Sequence, residues 1–119
     1  MTNAAEKWVE AYIAAWRSND PEQIGALFSD DARYLTSPDS EPRIGRDAIV
    51  AGWLDDLDDP GTWTFEWFIL HDHDGFVVVQ GRTQYPSERD YLNLWVVRLT
   101  PDGRASEFTE WYMPRPHGE

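Results

Sequence analysis

The chain has 119 residues, 41% of them hydrophobic, with seven Trp, five Tyr, five Phe and a formal net charge of −12. One domain of this size with so many large rings can build a core and wall a cavity. It holds no cysteine, which excludes disulfides, zinc–thiolate sites and thiol nucleophiles, and its acidic balance repels phosphate backbones and anionic membrane surfaces, so neither nucleic acid nor a membrane is an expected partner.

No apolar stretch approaches the ~18 residues that a membrane helix needs. The N-terminus MTNAAEKWVE has no basic region followed by an apolar run, so the expectation is a soluble, cytoplasmic protein. The acidic run from Asp55 to Asp59 lacks the alternating oxygen ligands and turn glycine of a calcium loop and reads as a solvated helix end.

The spacing of Ala5, Trp8, Val9, Tyr12, Ile13 and Trp16 predicts an amphipathic first helix, capped by Asn3 with Glu6 in the reciprocal position. Asp20, Pro21 and Gln23 are the start signals of a short second helix with Ile24, Leu27 and Phe28 on its apolar side. A short strand is expected from about Ala32 to Thr36, followed by the loop SPDSEPRIG. A third helix is predicted from about Asp47 to Leu57, with Ile49, Val50, Trp53, Leu54 and Leu57 on one side. Pro60 and Gly61 end it.

The rest reads as strand. Thr64 to His71 is aromatic-rich, Asp74-Gly75 is a hairpin signal, and FVVVQGRTQY, YLNLWVVRL and ASEFTEWYM follow, the last after the tight turn TPDGR. Residues 113–119 read as a flexible polar tail. Helices first and a meander of four long strands after them define a single α+β domain over residues 1–119. Its expected form is a cone: a strongly curved, mostly antiparallel sheet wrapped around three N-terminal helices, with an interior pocket.

Strand alternation sorts the candidate site residues by face. In the last strand one face carries Phe108, Glu110 and Tyr112, the other Glu107, Thr109 and Trp111. Each holds an aromatic and an acid, so alternation alone does not choose between them. In the second long strand Gln80 and Arg82 share one face, while Val77, Val79, Gly81 and Thr83 share the other, and either could look inward. Asn93 lies with Tyr91, Trp95 and Val97. His71 continues the Phe65, Trp67, Ile69 face and would reach the pocket mouth; with His73 it has metal-ligand spacing, but no third ligand is evident. There is no phosphate-binding glycine loop and no nucleophile elbow.

The pattern YIAAWRSNDPEQIGALFSDDARY, with SEPRIGRDAI after it and an Asp-Gly-Arg turn before the last strand, resembles the nuclear transport factor 2-like superfamily. The resemblance is to its SnoaL-like and ketosteroid isomerase branch and covers Glu6 to Tyr112. It implies a conical cavity, a homodimer, and no organic cofactor. The fold hosts isomerases, dehydratases, cyclases, epoxide hydrolases and non-catalytic binding domains.

Ketosteroid isomerases use an Asp base and an oxyanion hole made of a Tyr and a protonated Asp. Carried over position by position, the resemblance puts the Tyr at Tyr12. It puts the base at Thr36, which cannot take a proton from carbon at neutral pH, and the second donor at Trp95, which offers one N–H and does not titrate. Steroid isomerisation by that mechanism is therefore not expected. The same correspondence turns Phe108, Glu110 and Tyr112 into the pocket, and SnoaL-like cyclases carry an acid in this late-strand region.

Two readings follow. In the first, the protein is a cofactor-free acid/base enzyme acting on a small hydrophobic organic molecule. Glu110, desolvated by Phe108, Tyr112 and Trp95, would move the proton, and Tyr12, Asn93 and Trp95 would orient the substrate or stabilise an oxyanion, to which Tyr34 could also donate. Trp95, Trp53, Thr36, Phe108, Tyr112 and His71 would line the pocket, and Arg82 would tune Glu110 or hold a substrate carboxylate. In the second, the domain binds a ligand or dimerises without turnover, and Glu110 and Arg82 form a structural pair.

Overall fold

The first helix, α1, runs from Ala4 to Ser18 and buries Ala5, Trp8, Val9, Tyr12 and Ala15 along the stripe that the spacing predicts. Asn19 ends it in the left-handed region (φ 54°), its N–H bonded to the Ala15 carbonyl at 2.7 Å. The computed structural model describes residues 4–35, 39, 41–55, 63–85 and 90–115, for 114 and 115 the backbone alone. The expected cap Asn3 lies outside these residues. Helix α2, Pro21–Ala26, starts on Asp20, whose carboxylate accepts the Glu22 N–H at 2.9 Å. Gln23 does not reach back to close a capping box. Ser18 Oγ takes the Asp20 N–H at 3.1 Å instead, and Ser18 in turn bonds Gln23.

Strand β1, Phe28–Leu35, begins earlier than the sequence suggests. The reason is tertiary. The Leu27 carbonyl receives both the Trp8 indole N–H (2.9 Å) and the Ala105 N–H (2.7 Å), which ties the chain at the start of the strand to α1 and to the last strand. A two-residue strand β2, Arg43–Ile44, pairs with Arg33 and Tyr34 inside the stretch that reads as loop. Gly45 (φ 92°) then turns the chain into α3, Arg46–Asp55. The expected end of that helix at Leu57 lies outside the described residues.

Four long strands follow: β3 (Thr64–His73), β4 (Phe76–Gln84), β5 (Asp90–Leu99) and β6 (Ala105–Arg115). The β3–β4 turn has positive φ at both Asp74 and Gly75, as a tight two-residue hairpin requires. Strand β6 continues through Met113, where a flexible tail was expected, and 116–119 lie outside the described residues. The sheet order is β2-β1-β6-β5-β4-β3, with β1 parallel to β6 and every other pair antiparallel. The sheet is open, and it curves around the helices as a cone.

The concave face carries the core. Val77, Val79, Trp95, Val97 and Phe108 are buried there against Trp8, Val9 and Tyr12 of α1 and Ile49 of α3. Tyr12 and Tyr34 both stack on Phe108, with centroids at 5.5 and 4.8 Å. Gly81 leaves room for Phe65 to cross β4, since a Cβ there would lie 2.3 Å from the ring, and Phe65 stacks on Trp95 at 5.0 Å. Among the described residues no helix is long and apolar enough to cross a membrane.

Candidate functional site

Between the helices and the concave face lies a cavity of about 450 Å³. Its wall is Tyr12 and Trp16 from α1, Tyr34 from β1, Arg43 from β2, Gly52 and Trp53 from α3, and Thr83, Tyr85, Tyr91, Asn93, Trp95, Glu110 and Tyr112 from the sheet side. The wall is aromatic but not uniformly apolar. Phenols, an amide, a guanidinium and a carboxylate are set into it.

Glu110 is the one acid among the described residues of that wall. Trp95 lies directly opposite it on β5, and Asn93 lies diagonally across. Both donate to the same carboxylate oxygen: Trp95 Nε1 at 3.0 Å and Asn93 Nδ2 at 2.9 Å, each to Oε2. Oε1 accepts nothing from the described residues, so one oxygen is anchored and the other faces the cavity. Burial pushes the Glu110 pKa above the ordinary carboxylate value, and the two donors pull it back only in part. The residue as a whole is partly exposed, through the cavity.

Asn93 is fixed from behind. Thr83 Oγ1 donates to Asn93 Oδ1 at 2.8 Å, and both side chains are buried. The amide then has one orientation, oxygen to Thr83 and nitrogen to Glu110. Thr83, Asn93 and Glu110 thus form a polar line across β4, β5 and β6.

Facing this line, the Tyr12 and Tyr34 hydroxyls bond each other at 3.2 Å. Whichever one donates, the acceptor keeps its own O–H to offer outward, so the pair presents one donor to a ligand. Burial is the largest reason that both phenols have raised pKa values, with Glu110 adding to it. The pair is neutral and donating at physiological pH.

Of the residues singled out in the sequence, the fold brings Tyr12, Tyr34, Trp53, Asn93, Trp95, Glu110 and Tyr112 to one cavity. Phe108 is fully buried beneath Tyr12 and Tyr34 and supports the wall without reaching its surface. Thr36 lies outside the described residues. Arg82 is on the convex face, where it pairs with Asp90 at 2.7 Å. The small side of β4 had to face inward, because Gly81 lies under Phe65. Arg82 therefore neither tunes Glu110 nor meets a cavity ligand, and the structural Glu110–Arg82 pair does not form. His71 also leaves the cavity. A bulge after Ile69 pairs it with Val78 of the convex side, and its ring meets the edge of Phe76 at 5.6 Å. His73 bonds Asp74 at 3.2 Å, exposed to solvent.

The sequence reading missed Trp16, Arg43, Gly52, Thr83, Tyr85 and Tyr91 as wall residues. Thr83 had a signal, being the polar end of the Val77, Val79, Gly81 face. Arg43 had none, because it sits in a stretch that looks like loop.

An open curved sheet closed by three helices over a polar-studded aromatic cavity is the architecture of the nuclear transport factor 2-like proteins. Within that class the chain belongs to the SnoaL-like domain family, whose sequence pattern it matches over residues 9–113. It is similar in fold to an NTF-2 like protein of unknown function from Burkholderia xenovorans LB400, with TM-score 0.76, 14% identity, and coverage of 98% of this chain and 88% of that one. A ketosteroid isomerase-like protein from Erwinia carotovora atroseptica SCRI1043 is similar at TM-score 0.66 and 16% identity, covering 93% and 94% of the two chains. An LEH-like epoxide hydrolase of M. tuberculosis is similar at TM-score 0.64 and 18% identity, covering 92% and 83%. At these identities the likeness is one of fold. No curated protein matches the sequence.

Proposed function

We infer that this protein is a cofactor-independent acid/base enzyme acting on a small organic molecule with an apolar body, with Glu110 as the proton carrier. One observation carries the reading. The Glu110 carboxylate is buried, anchored through one oxygen and open to the cavity through the other, and no cation among the described residues pairs with it. A structural carboxylate would be neutralised or fully hydrogen-bonded.

In this reading the Glu110 carboxylate takes a proton from a carbon next to a substrate carbonyl. Negative charge grows on the carbonyl oxygen, and the outward O–H of the Tyr12–Tyr34 pair meets it. Glu110, now a carboxylic acid, returns the proton. Return to a different carbon is isomerisation, return to a leaving hydroxyl is dehydration, and attack of the carbanion on a second carbonyl is ring closure. Trp53 and Trp95 would hold the apolar body.

The test is proton exchange. The protein is incubated in deuterated buffer with a panel of β-dicarbonyl and α,β-unsaturated carbonyl compounds, and label uptake is read by mass spectrometry. Uptake by the wild type that is lost in Glu110→Gln and reduced in Tyr12→Phe is expected. A wild type that exchanges every compound no faster than Glu110→Gln refutes the assignment.

The reading includes a homodimer built on the convex face. Phe68, Gln80, Leu94 and Trp111 form one row across that face by register, and Phe68, Trp111 and Met113 are each more than half exposed. A second copy would cover this apolar row.

A further inference from the structure

Glu110 meets the cavity through one oxygen. Trp95 and Asn93 both donate to Oε2, at 3.0 and 2.9 Å, and Oε1 accepts nothing from the described residues. A carboxyl oxygen has two lone-pair positions, so these two N–H groups fill Oε2. When Glu110 takes a proton, Oε2 has no place for it. The proton goes on Oε1, and both N–H bonds persist with Oε2 as the carbonyl oxygen of the acid.

That confinement depends on which way Asn93 points. An amide turned over would set its carbonyl against Oε2. The acid could then keep its proton on Oε2 and donate it to Asn93, hidden from the cavity. Thr83 opposes the turn. Its hydroxyl donates to Asn93 Oδ1 at 2.8 Å from the neighbouring strand, and both side chains are buried. The amide oxygen thus has its partner behind it, and the nitrogen is left for Glu110.

Oε1 therefore reverses its sense with one proton. Ionised, it accepts a hydrogen bond from whatever occupies the cavity. Protonated, it donates one. The other ionisable side chains on the described wall are Tyr12, Tyr34, Tyr85, Tyr91, Tyr112 and Arg43, and α3 contributes only Gly52 and Trp53. Phenols and guanidinium groups hold their protons throughout the carboxyl range. Across that range the bonded Tyr12–Tyr34 pair keeps its single outward donor while Glu110 changes sense.

We propose that Glu110 Oε1 is a ligand handle that accepts when ionised and donates when protonated, that Thr83 is the positioning residue that confines the proton to it, and that the molecule taken by the ionised cavity is a neutral carbonyl compound with an O–H or N–H beside the carbonyl. The carbonyl meets the outward O–H of the phenol pair, and the donor meets Oε1. The proposal deepens the acid/base reading and rests on it for the placing of the carbonyl at Tyr12–Tyr34. A ligand with no donor leaves a buried carboxylate oxygen unmet and forgoes a charge-assisted bond, the stronger kind.

Acetophenone and benzamide have nearly the same shape, and only benzamide carries an N–H beside its carbonyl. Binding to the wild type is followed by the Trp indole N–H resonances. The Glu110 midpoint is read from its side-chain carboxyl carbon, identified as the signal missing from Glu110→Gln. Above that midpoint benzamide is expected to bind at least about tenfold tighter than acetophenone, the worth of one hydrogen bond to a charged acceptor. Below it the preference should shrink to within about threefold. By linkage, bound benzamide should lower the midpoint and bound acetophenone should raise it. Thr83→Val, which keeps the shape and loses the hydroxyl, should abolish the upward shift by acetophenone, and Thr83→Ser should restore it. The two-probe comparison on the wild type stands by itself if Thr83→Val folds poorly. An equal preference on both sides of the midpoint, midpoint shifts of one sign, no resonance moved by either probe, or a folded Thr83→Val protein with the wild-type shifts overturns the proposal. Opposite shifts with label exchange no faster than in Glu110→Gln would keep the handle and remove the acid/base reading. Exchange lost in Glu110→Gln with shifts of one sign would remove the handle alone.

Discussion

Replacing Glu110 by Gln should make the protein more stable at alkaline pH and give no gain in acid. Burial raises the Glu110 pKa by more than its two donors lower it. The folded state therefore holds a proton that the unfolded chain has released, over the window between the unfolded and the folded pKa. Stability is full below the unfolded carboxyl value, falls as pH rises to the folded value, and stays at the lower level above it.

The opposing term comes from the hydrogen bonds. Trp95 and Asn93 donate to the carboxylate at 3.0 and 2.9 Å, and a Gln carbonyl in the same place keeps both partners. Each bond then drops from about 1.5–3 kcal/mol for a charged acceptor to about 1 for a neutral one, whereas burying the ion costs several kcal/mol. The balance is a gain of about 1 kcal/mol for Gln at pH values above the folded pKa. With an unfolding entropy of about 2.1 cal/mol/K per residue over 119 residues, that is about 4 °C in Tm. Calorimetric melts of the two proteins at about pH 8 and about pH 4 read the difference directly. A Glu110→Gln protein that melts lower than wild type at the higher pH, or a difference that does not change with pH, would refute the claim that the carboxylate is buried against its own preference.

Thr83→Val should raise the Glu110 pKa further, read from its side-chain carboxyl carbon by NMR, because Asn93 loses the donor that fixes its amide; the buried Oδ1 left behind costs about 1–3 kcal/mol. Gly81→Ala should destabilise by about 1–3 kcal/mol in denaturant melts, since the new methyl would meet the Phe65 ring at 2.3 Å and push it off Trp95. Tyr12 and Tyr34, whose pKa values are raised, keep their protons above the point where unfolded phenols lose them, so their contribution is intact below about pH 10 and lost above it. In a spectrophotometric phenolate titration, Tyr12→Phe and Tyr34→Phe should remove amplitude only from the late, unfolding-linked phase. Trp111→Lys and Met113→Glu on the convex face should shift light-scattering mass from dimer to monomer while leaving the Glu110 titration unchanged.

The long elements were legible because their signals are periodic. The α1 stripe needs only helical spacing, and the hairpin at Asp74-Gly75 needs only a residue pair that tolerates positive φ. What periodicity cannot carry is a change of period. The bulge after Ile69 turns His71 out of the face on which simple alternation puts it. The inward side of β4 was equally hidden, since polar Gln80 and Arg82 could line a cavity as well as a surface. Only the crossing of Phe65 over Gly81 decides the matter, and that is a contact between strands. Arg43 escaped for a third reason: a two-residue strand has too little length to show any pattern, and it exists because β1 offers it a partner.

Register links the fold to the site. Glu110 faces the cavity because Trp95 lies opposite it and Asn93 diagonal to it, and both depend on how β6 returns along β5. That return is set at the turn, where Gly103 (φ 85°) lets the Thr100 N–H reach the Arg104 carbonyl at 2.7 Å, and where a shift between Arg98 and Leu99 restarts the pairing at Ala105. Slipping β6 by one residue would turn Phe108 and Glu110 outward together and bring Thr109 and Trp111 in. The buried Phe108, stacked on Tyr12 and Tyr34, resists such a slip with the full value of a core aromatic, about 3–5 kcal/mol by truncation. The carboxylate, which burial disfavours, is therefore held inward by the ring two residues before it. An acid placed against its own solvation needs such a neighbour on the same face, and in this strand Phe108 is that neighbour.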